Sequence, residues 1–139
     1  MKESSLWKNL NQLQLRNKRW HLTRIESLTL QGIPDVYAVI EGKSFWLELK
    51  SKEGKNLGLS NYQINWHLKH QSAGGSSFIL LASTSCRAFK LFRVEVREPS
   101  TKTLPDSRSL SDSRSLPYIH ISLISSHKNL EKLIRSILN

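Results

Sequence analysis

Cysteine is nearly absent: a single one, Cys86, stands in 139 residues. One thiol cannot close an intramolecular disulfide, and cysteine-based zinc sites need more than one such ligand, so a disulfide scaffold and a zinc ribbon are both excluded. Cys86 reads as an inert or buried thiol. Long hydrophobic runs are also missing, and nothing approaches the roughly 20 apolar residues that span a bilayer. The segment Met1 to Leu10 is polar where a secretory signal would be apolar. These absences lead to the expectation of a cytoplasmic protein with no membrane partner and no small-molecule cofactor.

Negative charge is the third scarcity. Eleven Asp and Glu face 21 Lys and Arg, which leaves +10 at pH 7. A balance so basic favours a polyanionic partner, because each neutralised phosphate releases condensed counterions. DNA is the expected partner. Charge alone does not separate a nuclease, a passive DNA binder and a binder of anionic membranes, but no basic amphipathic helix with aromatic anchors stands out. With 38% hydrophobic and 23% charged residues the composition is that of ordinary globular material, and the length suits one catalytic domain with its own core.

Along the chain, Leu6, Leu10 and Leu13 recur at helical spacing between Ser5 and Gln14, with a start near Ser4 or Ser5. The basic cluster Arg16, Lys18 and Arg19 leads into Trp20 to Leu30, of which Leu22 to Ile25 is the most strand-like part, and Gly32-Ile33-Pro34 interrupts it. Asp35 to Ile40 and Ser44 to Lys50 read as a β-hairpin around the turn signal Glu41-Gly42-Lys43. A polar loop, Ser51 to Leu59, precedes a helix over Asn61 to Gln71. Ser60 and Gln63 have the spacing of a capping box at its start. Phe78 to Ala82 and Ala88 to Val94 are strands, and the helical connection from Lys50 to Phe78 suits a crossover to a parallel neighbour.

Between Pro99 and Pro117 large apolar residues thin out and a tandem copy occurs, Asp106 to Leu110 and Asp112 to Leu116, which reads as a duplicated surface loop. Tyr118 to Ile124 is strand-like. In Lys128 to Leu138 the residues Leu130, Leu133, Ile134, Ile137 and Leu138 share one helical face, which must be buried against the core or a second subunit. The expected fold class is α/β: a central mixed sheet flanked by helices, with residues 1–95 as the core, 96–117 as a loop and 118–139 as a terminal strand and helix.

The chemistry concentrates around the hairpin. On a strand Glu48 and Lys50 point to one face while Leu47 and Leu49 point to the other. If the hairpin loop has two or four residues, opposed positions sum to an odd number, and Asp35 joins Glu48 and Lys50. Two carboxylates and an ammonium on one face suit phosphodiester hydrolysis. Carboxylates hold Mg²⁺ through hard oxygen ligands, the ion acidifies water and polarises phosphate, and a lysine orients the water or stabilises charge. A surface strand of alternating charges beside a Pro-Asp turn fits the same residues. His67 and His70 lie three apart on a helix, but with no third ligand in view a solvated face is the simpler reading. Trp7, Trp46 and Trp66 fit core positions better than base-stacking platforms, and Trp20, set among basic residues, is the aromatic least readily placed in a core.

Pro34-Asp35, twelve residues, then Glu48-Leu49-Lys50 resembles the PD-(D/E)xK nuclease signature. Arg24, Gly32-Ile33-Pro34-Asp35, Phe45 to Lys50, Leu59 to Gln63 with Trp66, and Gly74-Gly75 before Phe78 extend the resemblance, in that order, to stand-alone virus-type replication-repair nucleases. More distantly the same residues are similar to Holliday-junction resolvases, over roughly Glu3 to Phe92. The resemblance implies a restriction-endonuclease-like fold, with Asp35, Glu48 and the Leu49 backbone carbonyl as ligands of Mg²⁺, for which Mn²⁺ would substitute. It implies Lys50 as catalytic lysine and Gln63 as an active-site polar residue, although the capping box alone would also account for Gln63. It also calls for an acidic residue from the first helix, for which Glu3 is the candidate and Glu26 its competitor.

Arg24 fits a phosphate contact, and Lys52, Lys55, Arg16, Lys18 and Arg19 are further candidates for nucleic-acid contact. The resulting expectation is a Mg²⁺-dependent DNA endonuclease, selective for branched DNA such as Holliday junctions, with a phage source in keeping with the resemblance. A restriction-type or nicking enzyme of the same fold, or a catalytically silent nucleic-acid-binding module, are the alternatives. Cutting a two-fold junction calls for two sites, hence a homodimer.

Overall fold

The computed structural model describes residues 1–83, 87–99 and 116–139. It is an α/β sandwich around one six-stranded mixed sheet. The elements in chain order are α1 (Glu3–Arg16), β1 (Trp20–Arg24), β2 (Val36–Ile40), β3 (Lys43–Lys50), α2 (Asn61–Ser72), β4 (Ser77–Ser83), β5 (Ala88–Arg97), β6 (Tyr118–His127) and α3 (Leu130–Arg135). Short 3₁₀ turns cover Lys55–Gly58 and Ser136–Leu138. The strands lie in sequence order, β1-β2-β3-β4-β5-β6. Only β3 and β4 run parallel, joined by the crossover through α2 as their spacing requires.

The two faces of the sheet are covered differently. Leu6, Leu10 and Leu13, one stripe of α1, meet Phe45, Leu47 and Leu49 of β3 and Phe78 and Leu80 of β4, all within 5% of full burial. Leu130, Leu133, Ile134 and Ile137 join this same apolar cluster. Burying each such side chain contributes about 1.5–3 kcal/mol. The terminal stripe therefore closes the chain's own core and is not free to meet a second copy. On the opposite face Ile79, Leu81 and Val94 are buried, where α2 packs against β4, β5 and β6.

Several boundaries differ from expectation. The first helix begins at Glu3 with Lys2 as an uncapped N-cap, so Ser4 and Ser5 lie inside its first turn. Strand β1 stops at Arg24 because its partner β2 begins at Val36, and only the Ile25 N–H, donating to the Asp35 carbonyl at 2.8 Å, continues the pairing. The segment from Glu26 to Gln31 is exposed irregular chain. Strand β6 continues to His127, with a bulge opposite Leu91 and Phe92. Trp20 is buried at 5% exposure, its ring under the Arg135 guanidinium at 5.5 Å. Cys86 and the duplicated segment up to Ser115 lie outside the described residues, and Leu116 is exposed.

Candidate active site

The site begins with a turn. Glu41 and Gly42 have φ of +48° and +85°, the all-positive pair of a two-residue type I′ hairpin, whose twist matches that of the strands it joins. That loop length sets the β2–β3 register: Ile40 pairs with Lys43 and Val36 with Leu47. One further step along the register places Asp35 across from Glu48. The Leu49 N–H donates to Asp35 Oδ2 at 2.8 Å, tying the carboxylate to the strand that carries Glu48 and Lys50. The amide of Leu49 thus holds one of the two expected ligand residues in place.

The opposite wall of the site is the first turn of α2. Ser60 Oγ accepts from the Gln63 N–H at 3.2 Å, and Gln63 Oε1 accepts from the Ser60 N–H at 2.9 Å, a complete capping box. The same Gln63 donates through Nε2 to Glu48 Oε1 at 2.7 Å, and its Oε1 accepts from Lys50 Nζ at 3.3 Å. Both readings of Gln63 hold at once, because its carbonyl end serves the cap while its amide end reaches the carboxylate. Gly32 fixes how close this wall lies. With φ of +89°, it sits where a Cβ would fall 2.3 Å from the Tyr62 carbonyl oxygen, so the loop bearing Pro34 and Asp35 docks on the start of α2 only with glycine there.

Glu48 is the unusual member. It is 2% exposed, and its Oε2 is buried without a hydrogen-bond partner. Burial, and then the neighbouring Asp35 carboxylate, push its pKa up to about 9; Lys50 acts the other way and Glu3 adds to the rise. Without a compensating cation the Glu48 carboxyl is accordingly neutral at pH 7. A hard divalent ion would take the place of that proton and leave Asp35 and Glu48 as two anionic oxygen ligands, so the donor set fits the expected Mg²⁺. Among the described residues no group of three or more His, Cys, Asp or Glu side chains is gathered closely enough to hold a metal ion. Glu3 therefore comes near enough to influence Glu48 but does not complete a cluster with the pair.

The basic residues divide between two ends of the sheet. Arg24 ends β1 beside Val36, at the Asp35 end, with its guanidinium 5.9 Å from the Trp7 ring and its Nε buried without a partner. Lys50 and Lys52 line a cleft of about 430 Å³ together with Glu3, Glu53 and Gly58, and Asp35 and Glu48 lie outside its lining. Lys55 lies in the adjoining 3₁₀ turn. Arg16, Lys18 and Arg19 lie at the other end of β1, where Trp20 pairs with Ile40 and the Arg19 carbonyl accepts from the Glu41 N–H. The structure does not bring that cluster to the carboxylates, since a five-residue strand separates the two ends.

The histidine pair is not a solvated face. His67 is fully buried, its Nδ1 2.8 Å from Ser77 Oγ, which also accepts from Gln71 Nε2 at 3.0 Å. Desolvation holds it neutral, with a pKa down at about 4. His70 stacks on Trp66 at 4.6 Å, and Trp46 meets Trp66 edge-on at 5.2 Å. The only hint of this in the sequence is helical spacing: His67 lies one turn beyond Gln63, on the face that α2 turns to the sheet. No model of a known protein family matches the chain, and no curated protein matches it in sequence.

Proposed function

We propose that the chain is a divalent-metal-dependent DNA endonuclease with a restriction-endonuclease-like fold. The observation that carries this reading is the buried, partly unsatisfied Glu48 beside Asp35, linked through Gln63 to Lys50. Asp35 and Glu48 would hold the ion, Mg²⁺ with Mn²⁺ able to substitute, and the Leu49 carbonyl is the backbone ligand the resemblance adds. When bound, the ion supplies Lewis-acid polarisation of the phosphate and a lowered pKa for water. Glu3 is placed to add negative charge at the periphery of the pair.

The protein's own part is positioning and charge. Gln63 holds Glu48 Oε1 by its amide, which leaves Oε2 directed to other company. The Lys50 ammonium, shared between Gln63 Oε1 and the Gly58 carbonyl at 3.5 Å, stands at the edge of the cleft. There it can donate to a non-bridging phosphate oxygen as negative charge builds in the transition state. Water adds across one P–O bond, leaving a phosphomonoester on one side and a hydroxyl on the other. Arg24 and Lys52 would contribute phosphate contacts at this end of the sheet, Lys55 remains a candidate from the sequence, and Arg16, Lys18 and Arg19 would meet DNA only where it runs along β1 to the far end.

Selectivity for branched DNA belongs to the same proposal. With one catalytic set per chain, paired incision of a four-way junction needs two copies, and a homodimer would have to use a surface other than the terminal stripe. The test incubates the protein with supercoiled, linear, single-stranded and four-way-junction DNA, with Mg²⁺ or with EDTA. Cleavage only with the ion supports the reading. DNA binding without cleavage in any metal would instead support a silent binding module.

A further inference from the structure

A second concavity adjoins the cleft lined by Lys50 and Lys52 and serves no purpose in the chemistry above. It has a volume of about 570 Å³ and lies where α2 leaves the outer strands β5 and β6 half covered. Its walls include Ile64 and Leu68 of α2, Phe92 of β5, and Tyr118, His120 and Ile121 of β6. None of these side chains is fully buried, and Tyr118 is 49% exposed. The groove is largely apolar, with three aromatic rings and two polar tips.

Its position indicates the occupant. Gly54 and Leu57 line both this groove and the cleft that holds Lys50 and Lys52, so the two concavities are separated only by the loop between β3 and α2. Leu57 and Gly58, with φ of +52° and +72°, turn that partition back toward α2. On α2 itself Gln63 serves the carboxylates while the next residue, Ile64, lines the groove. Glu53 is drawn to Ser83 and Lys90, so a ligand reaching from one to the other presents an anionic group to Lys50 and Lys52, with Glu3 at the cleft's edge, and a flat apolar group to the rings. A nucleotide has that division built in, with its phosphate and its base joined through a sugar.

We infer that this groove binds the unstacked base of an unpaired nucleotide lying next to the phosphate held at Lys50 and Lys52. A base inside a duplex is stacked and paired and cannot turn away from its neighbours without losing both interactions, so the groove selects strands that are already single at that position. Aromatic rings accept any base by its π-face, and such stacking changes affinity by roughly 5- to 150-fold per base. The inference rests on the reading of the cleft as a phosphodiester site, and it narrows the substrate from DNA in general to DNA with an unpaired nucleotide at the point of contact.

The test uses full-length protein in EDTA, so that binding is read without cleavage, by fluorescence anisotropy on three labelled DNAs. These are a blunt duplex, the same duplex with a single-stranded extension, and a set in which one abasic residue is moved along that extension. The expected result is tighter binding of the extended DNA, lost about tenfold when the abasic residue occupies one particular position. Tyr118→Ala and His120→Ala should each reduce that positional difference while leaving the affinity for blunt duplex and the melting temperature unchanged.

Equal binding of intact and abasic extensions at every position would overturn the inference, as would variants that weaken duplex and extended DNA alike. A groove filled by the protein itself, or one that serves an apolar protein partner, would give the first of these results. Cleavage assayed in parallel with Mg²⁺ separates the two claims. Hydrolysis that is indifferent to the abasic position removes the groove and keeps the nuclease, whereas a positional base effect without hydrolysis under any condition does the reverse.

Discussion

The two ends of the β2–β3 hairpin contain similar kinds of residue and treat them in opposite ways. At the turn end Glu41 and Lys43 are at the surface and satisfied: Glu41 meets Arg135 at 2.7 Å, and Arg135 also meets Glu131 at 3.3 Å and donates to Asn17 Oδ1 at 3.0 Å. Lys43 donates to the Ile137 carbonyl at 2.8 Å. At the open end Glu48 is buried beside a second carboxylate with one oxygen unpartnered. The first arrangement costs little and contributes little, as exposed ion pairs do. The second costs stability in the isolated chain, and a fold keeps such a cost where a bound charge offsets it. The contrast sets the open end apart as the candidate site, because there the unpartnered atom belongs to a buried carboxylate.

The sharpest way to break the comparison is to remove a carboxylate at each end. Asp35→Ala or Glu48→Ala is expected to lower cleavage on the order of a thousandfold or more, while much of the DNA affinity, which comes from Lys and Arg, remains. Quantitative cleavage kinetics with binding measured alongside would check this, and near-normal turnover in either variant would remove that residue from the site. Glu41→Ala, its counterpart at the turn end, should leave turnover within about twofold of wild type.

Gln63 and Ser60 separate the cap from the chemistry. Both Ser60→Ala and Gln63→Ala lose the capping box and should cost about 1 kcal/mol each in denaturant unfolding. Only Gln63→Ala should also lower cleavage, by about 10- to 100-fold, because it alone releases Glu48 and Lys50. Equal cleavage losses in the two variants would reduce Gln63 to a cap. At the small end of the scale, Arg135→Ala should cost less than about 1 kcal/mol beyond the loss of its packing over Trp20, with cleavage unaffected.

How much of this could be read from residues alone follows from what periodicity encodes. Glu41-Gly42-Lys43 signals a turn without fixing its length, so the residues of the candidate site were legible while their convergence was conditional; the two-residue loop seen in the fold sets the odd register that aligns Asp35 with Glu48 and Lys50. The capping box at Ser60 and Gln63 was legible because it is a local spacing rule. Depth was not. Alternation along β3 assigns Glu48 a face but does not say that α2 will cover that face, and the helical spacing of His67 is the same whether its side chain meets water or Ser77. The apolar stripe of the terminal helix required burial without naming the partner, which proved to be the sheet of the same chain. Arg16, Lys18 and Arg19 showed basicity but not position, since a short stretch of charge does not reveal which end of a strand it will occupy.

The account's central claim is that Glu48 is left uncompensated because a cation belongs beside it. Its pKa of about 9 in the fold, against an ordinary 4.5, gives that claim a sign. Below about 4.5 the carboxyl is protonated whether the chain is folded or not. Between 4.5 and about 9 unfolding releases a proton, so stability falls as pH rises, and above about 9 the dependence ends. The direct measurement is thermal unfolding of the wild type and Glu48→Gln from about pH 5 to about pH 9, in EDTA and in Mg²⁺. The account predicts that in EDTA the wild type melts progressively lower with rising pH while Glu48→Gln lacks that component. Mg²⁺ should then raise the wild-type melting temperature on the order of 5 °C near neutral pH and leave the variant unmoved. Identical pH profiles, or a Mg²⁺ response that is the same in both proteins, would contradict it.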